Sequence, residues 1–558
     1  MRSIRVIVSV VLLAWTVACG SRSPLGADLI VTNARIWTGE PRQPSATALA
    51  IIGERIVDIG DTKDIERWHG RDTQILDAQG RRTIPGFNDA HVHFVDGGAE
   101  LENVDLKDAD TPAEFARRIG ERARSRPGEW ILGGNWDDQR WSPPELPTRA
   151  LIDDITNGTP VFVYRYDGHM ALANSAALGR AGITEATPDP PGGSIVRDAK
   201  GVPTGVLKDA AMTPVQRVVP KMSDERRLQV VKSALKHAAS VGVTSVQDMN
   251  PSYDDLSAYA ELASRGELTT RIYAAPMETD WYDQAKIGVR RAFGSTWLRI
   301  GAIKGYADGS LGATTAFFFQ PYTDTPNTRG LLSDEMQPIE SMRTRLMAAD
   351  HAGLQLCVHA IGDAGISAIL DLFTDILAAN GDRDRRFRIE HAQHIAPKDF
   401  DRFASLKVVA SMQPYHAIDD GRFAERRIGP ERIKTTYAFK TLLDNGVRLA
   451  FGTDWAVAPL NPLLGLYAAT TRATLDGKNP DGWVPEQKIS IEQAVTAYTS
   501  GSAFAEFQDR EKGTLVRGKL ADLVILSDDI FSIPPARLKD VHVLATVAGG
   551  KIVHQRQP

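Results

Sequence analysis

The sequence predicts an α/β fold: a (β/α)₈ TIM barrel carrying an insertion, joined to a small β-sandwich built from both termini. Three observations predict it. Eight apolar, strand-like runs end near His91, Gln247, Ala275, Lys304, His359, His391, Met412 and Thr453. Amphipathic helical stretches precede several of them, with Gly242, Gly353 and Gly446 placed as helix stops just before the next apolar run. Strands alternating with helices in this way indicate βαβ units and a parallel sheet. Both ends of the chain, residues 28–84 and 505–558, have a different texture, with short runs of alternating apolar and polar residues broken by Asn, Gly and Asp. That texture belongs to short strands joined by turns.

The first 18 residues are expected to be an export signal. Arg2 and Arg5 precede an apolar run over residues 6–18. The run is shorter than the roughly 20 residues that a spanning helix needs and has the size of a signal-peptide core. Thr16-Val17-Ala18-Cys19 resembles a bacterial lipobox, with Thr16 where leucine is usual. Lipidation of Cys19 would make the product an exported lipoprotein, anchored on the periplasmic or cell-surface side. Plain cleavage after Ala18, giving a secreted protein, and an uncleaved anchor are the alternatives. Residues 19–27, with Pro24 and Gly26, form a short tether.

Residues 85–504 are assigned to the barrel. One face of the helix after Arg226 is marked by Leu228, Val231, Leu235 and Ala238. The rhythm breaks over residues 130–207, a stretch rich in Pro, Gly and Trp. It is read as an insertion over the barrel mouth.

Composition removes several classes of function. The 558 residues are 42% hydrophobic and 24% charged, as in an ordinary folded protein. Lys+Arg 65 against Asp+Glu 70 leaves a net charge of −5, which gives no case for nucleic-acid binding. Cys19 and Cys357 are the two cysteines, too few for a disulfide scaffold or a cysteine-rich zinc module. An oligomer of identical chains is compatible with all of this.

Chemistry-bearing residues cluster at the ends of the apolar runs. His91 and His93 are two apart, so in a strand they share a face and can reach one cation. Lys304 ends a run in which a buried ammonium is costly without a role. His359, His391 and Asp454 end three more runs. The C-terminal rim of such a barrel is where catalysis is placed. Nitrogen and oxygen donors without thiolate suit Zn²⁺, with Mn²⁺, Ni²⁺ or Fe²⁺ as alternatives.

These residues, in this order, resemble the amidohydrolase superfamily of metal-dependent hydrolases. The segments IPGFNDAHVHF, IKGYADGSLGATTA, VHAIGD, RIEHAQH and FGTDWAVAPLNPL are similar to its amidohydrolase-3 branch, whose members include N-substituted formamide deformylase. The resemblance runs from about residue 28 to the C-terminus. It implies that His91, His93 and Asp454 hold one divalent ion and that His359 and His391 hold a second. Lys304, carboxylated by CO₂, would bridge the two. Metal-activated hydroxide would then attack a carbonyl carbon, with Asp454 moving the proton to the leaving nitrogen. The implied substrate is a small N-acyl, N-formyl or cyclic amide. An ester, lactone or carbamate is the alternative, and a catalytically silent exported binding lipoprotein is a third reading. Trp136, His169, Asp308 and His416 are weaker candidates for contacts with substrate. Cys357 shares the face of His359 and is expected to fill the core.

Overall fold

The computed structural model describes residues 26–556 except 166–169, 191–192 and 313. The expected signal peptide, Cys19 and His169 lie outside the described residues. The fold is α/β with mixed sheets. Eight parallel strands follow one another in chain order: β1 (Phe87–Val92), β2 (Val243–Met249), β3 (Arg271–Ala275), β4 (Ala302–Tyr306), β5 (Gln355–Ala360), β6 (Arg388–His391), β7 (Val409–Met412) and β8 (Leu449–Phe451). β1, β2 and β3 pair in parallel, as do β4 through β8. Parallel bridges join the two groups at both edges, Met277 to Lys304 and Val92 to Trp455.

The burial pattern explains why these runs read as continuously apolar. Val246, Ile303, Leu356 and Ile389 are fully buried in one large apolar cluster shared with the surrounding helices. Burying each such side chain contributes about 1.5–3 kcal/mol. Their neighbours Gln247, Lys304, Cys357 and Arg388 project to the opposite face of the strands and are also buried. The helix before β2, Asp224–Ser240, starts where the Ser223 side chain accepts from Arg226 N, and it buries Val230, Val231, Ala234, Leu235 and Ala238. It ends at Gly242, whose φ of +79° disfavours a side chain.

Strands from both ends of the chain share sheets. One sheet runs Arg55–Gly60, Ala48–Ile52, Leu29–Thr32, Gln74–Asp77. The other runs Lys551–Gln555, Val543–Ala548, Leu523–Leu526, Arg82–Pro85, Arg35–Trp37, Ser45–Ala46. Val31, Ile36, Ile51, Leu523 and Val547, drawn from both sheets, are buried in one cluster. Arg271 of β3 ties this region to the parallel strands. Its Nε lies 2.8 Å from Asp522 Oδ2 and its Nη2 3.0 Å from Asp522 Oδ1. The guanidinium also stacks 4.2 Å from the Trp297 ring centre.

The interrupting segment forms a six-stranded sheet that reaches from Val104–Asp105 to Pro203–Asp209. It therefore begins well before residue 130. The helix Pro112–Ser125 belongs with it, because Phe115 and Ile119 pack against Trp136 and Trp141.

Candidate metal centre

The ends of β1 and β8 are locked together before any ligand is placed. Asp89 accepts from His91 N at 3.1 Å, Thr453 N at 2.9 Å and Thr453 Oγ1 at 2.6 Å. Asp454 N donates to His91 O at 2.7 Å. Gly452 permits this approach, since a Cβ there would sit 2.5 Å from His91 N. Asp454 and His391 occupy the left-handed region, with φ of +61° and +69°. Such strain persists only where surrounding contacts over-determine it, and it concentrates at functional sites.

The side chains converge. His91 Nε2 lies 3.5 Å and His93 Nε2 3.3 Å from Asp454 Oδ1. His416 Nε2 lies 3.8 Å from Asp454 Oδ2. His359 and His391 stack edge to face with ring centres 4.5 Å apart. Among the described residues two groups have donor atoms mutually within 4.8 Å: His91, His93 and Asp454, and His391, His416 and Asp454. His359 falls outside both groups. Its Nε2 faces Gly309 O at 3.2 Å and Asp308 Oδ1 at 3.6 Å.

The donor set fits a cation. His91 Nε2, His416 Nε2 and Asp454 Oδ1 are buried without a hydrogen-bond partner. Leaving three such atoms unsatisfied costs about 1–3 kcal/mol each, and a bound ion would relieve this. Each of three histidines is also oriented from behind through Nδ1. His91 uses Glu390 Oε2 at 2.7 Å, His93 the Met249 carbonyl at 3.1 Å, and His391 Gln413 Oε1 at 2.8 Å. A hydrogen bond at Nδ1 leaves Nε2 as the free ligating atom.

Electrostatics separate the roles. Burial, reinforced by Lys304, lowers the His91 pKa to about 4, so its imidazole is neutral near pH 7. Burial also lowers the His359 pKa to about 3. For Asp454, burial favours the neutral acid, but four surrounding histidines outweigh it and hold the carboxyl well below its usual range. Burial lowers the Lys304 pKa despite Glu390 and Asp454 nearby. Burial raises the Cys357 thiol to about 12, which makes it inert packing.

His93, His359, His391, His416, Lys304, Tyr306 and Asp454 line a cavity of about 450 Å³. A larger groove of about 900 Å³ lies between the inserted sheet and the loop after Asp454. Val457 lines both, and it is 74% exposed.

Two of the weaker sequence candidates are placed elsewhere. Asp308 is buried, with Oδ1 accepting from Ile361 N and Oδ2 from Phe317 N and Gly362 N. It fastens a loop and is not in the cavity wall. Trp136 is 1% exposed and donates to the Val163 carbonyl, so it packs the inserted sheet. Phe162 and Tyr164, which the sequence did not single out, line the groove instead. Glu390 and Gln413 were also missed. In hindsight the signal for Glu390 is its place two residues after Arg388 on the same strand face.

The sequence profile of the amidohydrolase family matches residues 74–554. "Protein LONG AFTER FAR-RED 3" of Arabidopsis thaliana is 39% identical, covering 97% of this chain and 94% of that one. N-substituted formamide deformylase of Arthrobacter pascens is 26% identical, covering 95% of this chain and 98% of that one. Among solved structures, an uncharacterized metal-dependent hydrolase from Pyrococcus horikoshii superposes with a TM-score of 0.76 at 30% identity, covering 91% of this chain and 99% of that one.

Proposed function

Because the chain belongs to the amidohydrolase family, we propose that it is a metal-dependent hydrolase of a small amide, cleaving a non-peptide C–N bond in an N-acyl, N-formyl or cyclic amide. The observation that carries this reading is the convergence of partnerless buried donors: His416 and Asp454 line one cavity, and His91 Nε2 lies 3.5 Å from Asp454 Oδ1. His91, His93 and Asp454 would hold one divalent ion, with Zn²⁺ the best match to the donors, and His359 and His391 would hold a second. Such an ion supplies Lewis acidity to a carbonyl oxygen and eases deprotonation of water.

The chain's own residues supply the rest. Asp454 stays ionised, so it accepts a proton from the attacking water and returns it to the departing nitrogen. His416, beside Asp454 Oδ2, orients the substrate carbonyl. Burial disfavours the ammonium form of Lys304, which eases access to the free amine that CO₂ requires. The amine nitrogen lone pair would bond to the CO₂ carbon as one C=O π pair moves to oxygen, and the N–H proton would pass to water. The resulting carbamate anion would bridge the ligand clusters.

The same reading takes the eight joined strands as a closed (β/α)₈ barrel over residues 85–504. It takes the two terminal sheets as a β-sandwich contributed by residues 28–84 and 505–558.

The test is a screen of N-acyl, N-formyl and cyclic amides beside esters and lactones, run on protein of measured metal content. Amide turnover with one or two divalent ions per chain is expected. An active preparation without divalent ions would refute the metal reading. Ester turnover without amide turnover would move the substrate class.

The N-terminal lipobox resemblance supports export and membrane anchoring through lipid on Cys19. No helix among the described residues is long and apolar enough to cross a membrane. Cys19→Ser is expected to shift the protein from the membrane fraction to the soluble fraction. Continued attachment of that variant would rule out a lipid anchor.

A further inference from the structure

A continuous polar chain runs through the core enclosed by the strands, where barrels ordinarily carry branched apolar side chains. It begins far from the metal centre, at Lys512. Lys512 Nζ lies 2.5 Å from Ser245 Oγ and 2.8 Å from Glu506 Oε1. Asn88 Nδ2 donates to the same Glu506 oxygen at 2.6 Å. Asn88 Oδ1 in turn accepts from Gln247 Nε2 at 3.5 Å, and Gln247 Oε1 accepts from Arg388 Nη1. Arg388 Nε donates to Glu390 Oε1 at 2.7 Å, and Glu390 Oε2 meets His91 Nδ1 at 2.7 Å. None of these residues is more than 3% exposed.

The order of donors and acceptors along this chain is set from its two ends, by Glu506 and by Arg388. An ionised Glu506 can only accept, so Asn88 must turn its NH₂ toward it and its oxygen toward Gln247. Gln247 must then present its NH₂ to Asn88, an orientation reinforced by its bond to Ser502 O at 2.8 Å. Its oxygen is left facing Arg388. Arg388 carries only donors, so it can be received there by nothing but an acceptor. Seated in this way, the guanidinium grips both oxygens of Glu390, at 2.7 and 3.0 Å. Glu390 holds the Nδ1 proton of His91 and so frees Nε2 for an ion.

Stability alone does not account for such a chain. Buried ion pairs are often matched or bettered by apolar residues of similar volume. This one links two charge pairs, Lys512–Glu506 and Arg388–Glu390, and ends on a proposed metal ligand.

We infer that Glu506 is a positioning residue for His91: through Asn88, Gln247, Arg388 and Glu390 it dictates the His91 tautomer and thereby the affinity for a divalent ion. Lys512 balances the charge of Glu506 and has no part in the donor order. The inference rests on His91 being a metal ligand.

The test compares three variants of the full chain, each checked for folding by circular dichroism and thermal melting. Zn²⁺ affinity is measured by competition with a chromophoric chelator. The His91 tautomer is read in the metal-free protein by ¹⁵N spectra of labelled histidine. Glu506→Gln allows Asn88 and Gln247 to flip and set NH₂ against guanidinium. It is expected to weaken Zn²⁺ binding about tenfold or more and to populate the Nε2-protonated form of His91. Gln247→Met breaks the relay lower down with a side chain of similar volume and should do the same. In Lys512→Met a carboxyl oxygen of Glu506 still accepts from Asn88 whether or not the group takes up a proton, so this variant should lower the melting temperature and leave affinity and tautomer unchanged. Unchanged affinity and tautomer in folded Glu506→Gln or Gln247→Met would overturn the inference. A loss of affinity in all three variants that tracks stability would also overturn it. If the unmodified protein binds no Zn²⁺, the metal reading is what fails, and the tautomer still reports on the relay.

Discussion

Asp454→Asn is expected to lower kcat by about 10²–10⁴-fold, the range for loss of a positioned acid–base group. The substitution preserves size and the backbone bonds that hold residue 454 against His91. It removes the one carboxylate that belongs to both compact donor groups. An amide cannot take up a proton at neutral pH and return it to a leaving nitrogen. The neutral side chain also withdraws the charge that raises the His93 pKa. Burial opposes the His93 imidazolium, but the adjacent Asp454 carboxylate outweighs it. The variant should therefore show a lower His93 pKa alongside the lower kcat. The check is steady-state kinetics at saturating divalent ion, so that weakened metal binding is not mistaken for lost proton transfer. Turnover within a few-fold of the unmodified enzyme under those conditions would remove Asp454 from the proton path.

Arg388→Met is expected to cost about 3–5 kcal/mol of stability, the range for stranding one member of a buried ion pair. Arg388 and Glu390 are both fully buried. Burial favours a neutral Glu390, but Arg388 and then His91 outweigh it and lower its pKa to about 2. A carboxyl depressed in the folded state contributes stability above its unfolded value near 4.5 and loses it as pH falls toward 2. Without Arg388 the sign reverses. Burial then raises the folded pKa, so protonation of Glu390 favours the folded variant at low pH. The deficit measured by denaturant unfolding should be largest near pH 7 and shrink toward pH 4.5. Arg388→Met combined with Glu390→Met should recover much of the loss, because it strands no charge. A single variant within 1 kcal/mol of the unmodified protein would show that the pair carries no such weight.

Much of the architecture was legible because burial writes itself into sequence. The eight apolar runs correspond to eight parallel strands in the expected order. A strand covered on both faces must be apolar along most of its length. The polar residues that interrupt these runs, His91, Lys304, His359 and His391, stood out for the same reason. The start of the inserted sheet was not legible. Val104–Asp105 is two residues long, and Pro112–Ser125 has the amphipathic pattern of any surface helix. The directions of Asp308 and Trp136 were not legible, because a polar or aromatic residue near a predicted mouth has no direction in sequence. The structure turns one toward three backbone amides and packs the other inside the inserted sheet.

The sequence by itself determined the order of the strands and marked candidate donors, since residue type and spacing carry both. Only the tertiary structure decided which atoms of those donors are free. The Nδ1 partners of His91, His93 and His391 come from Glu390, Met249 and Gln413, and the first two are far away in the chain. Glu506, at the far end of the polar core, is 415 positions from His91 in numbering and joined to it by hydrogen bonds alone. Ligand identity is a property of a residue. Ligand orientation is a property of its neighbours, and a fold of parallel strands draws those neighbours from all along the chain.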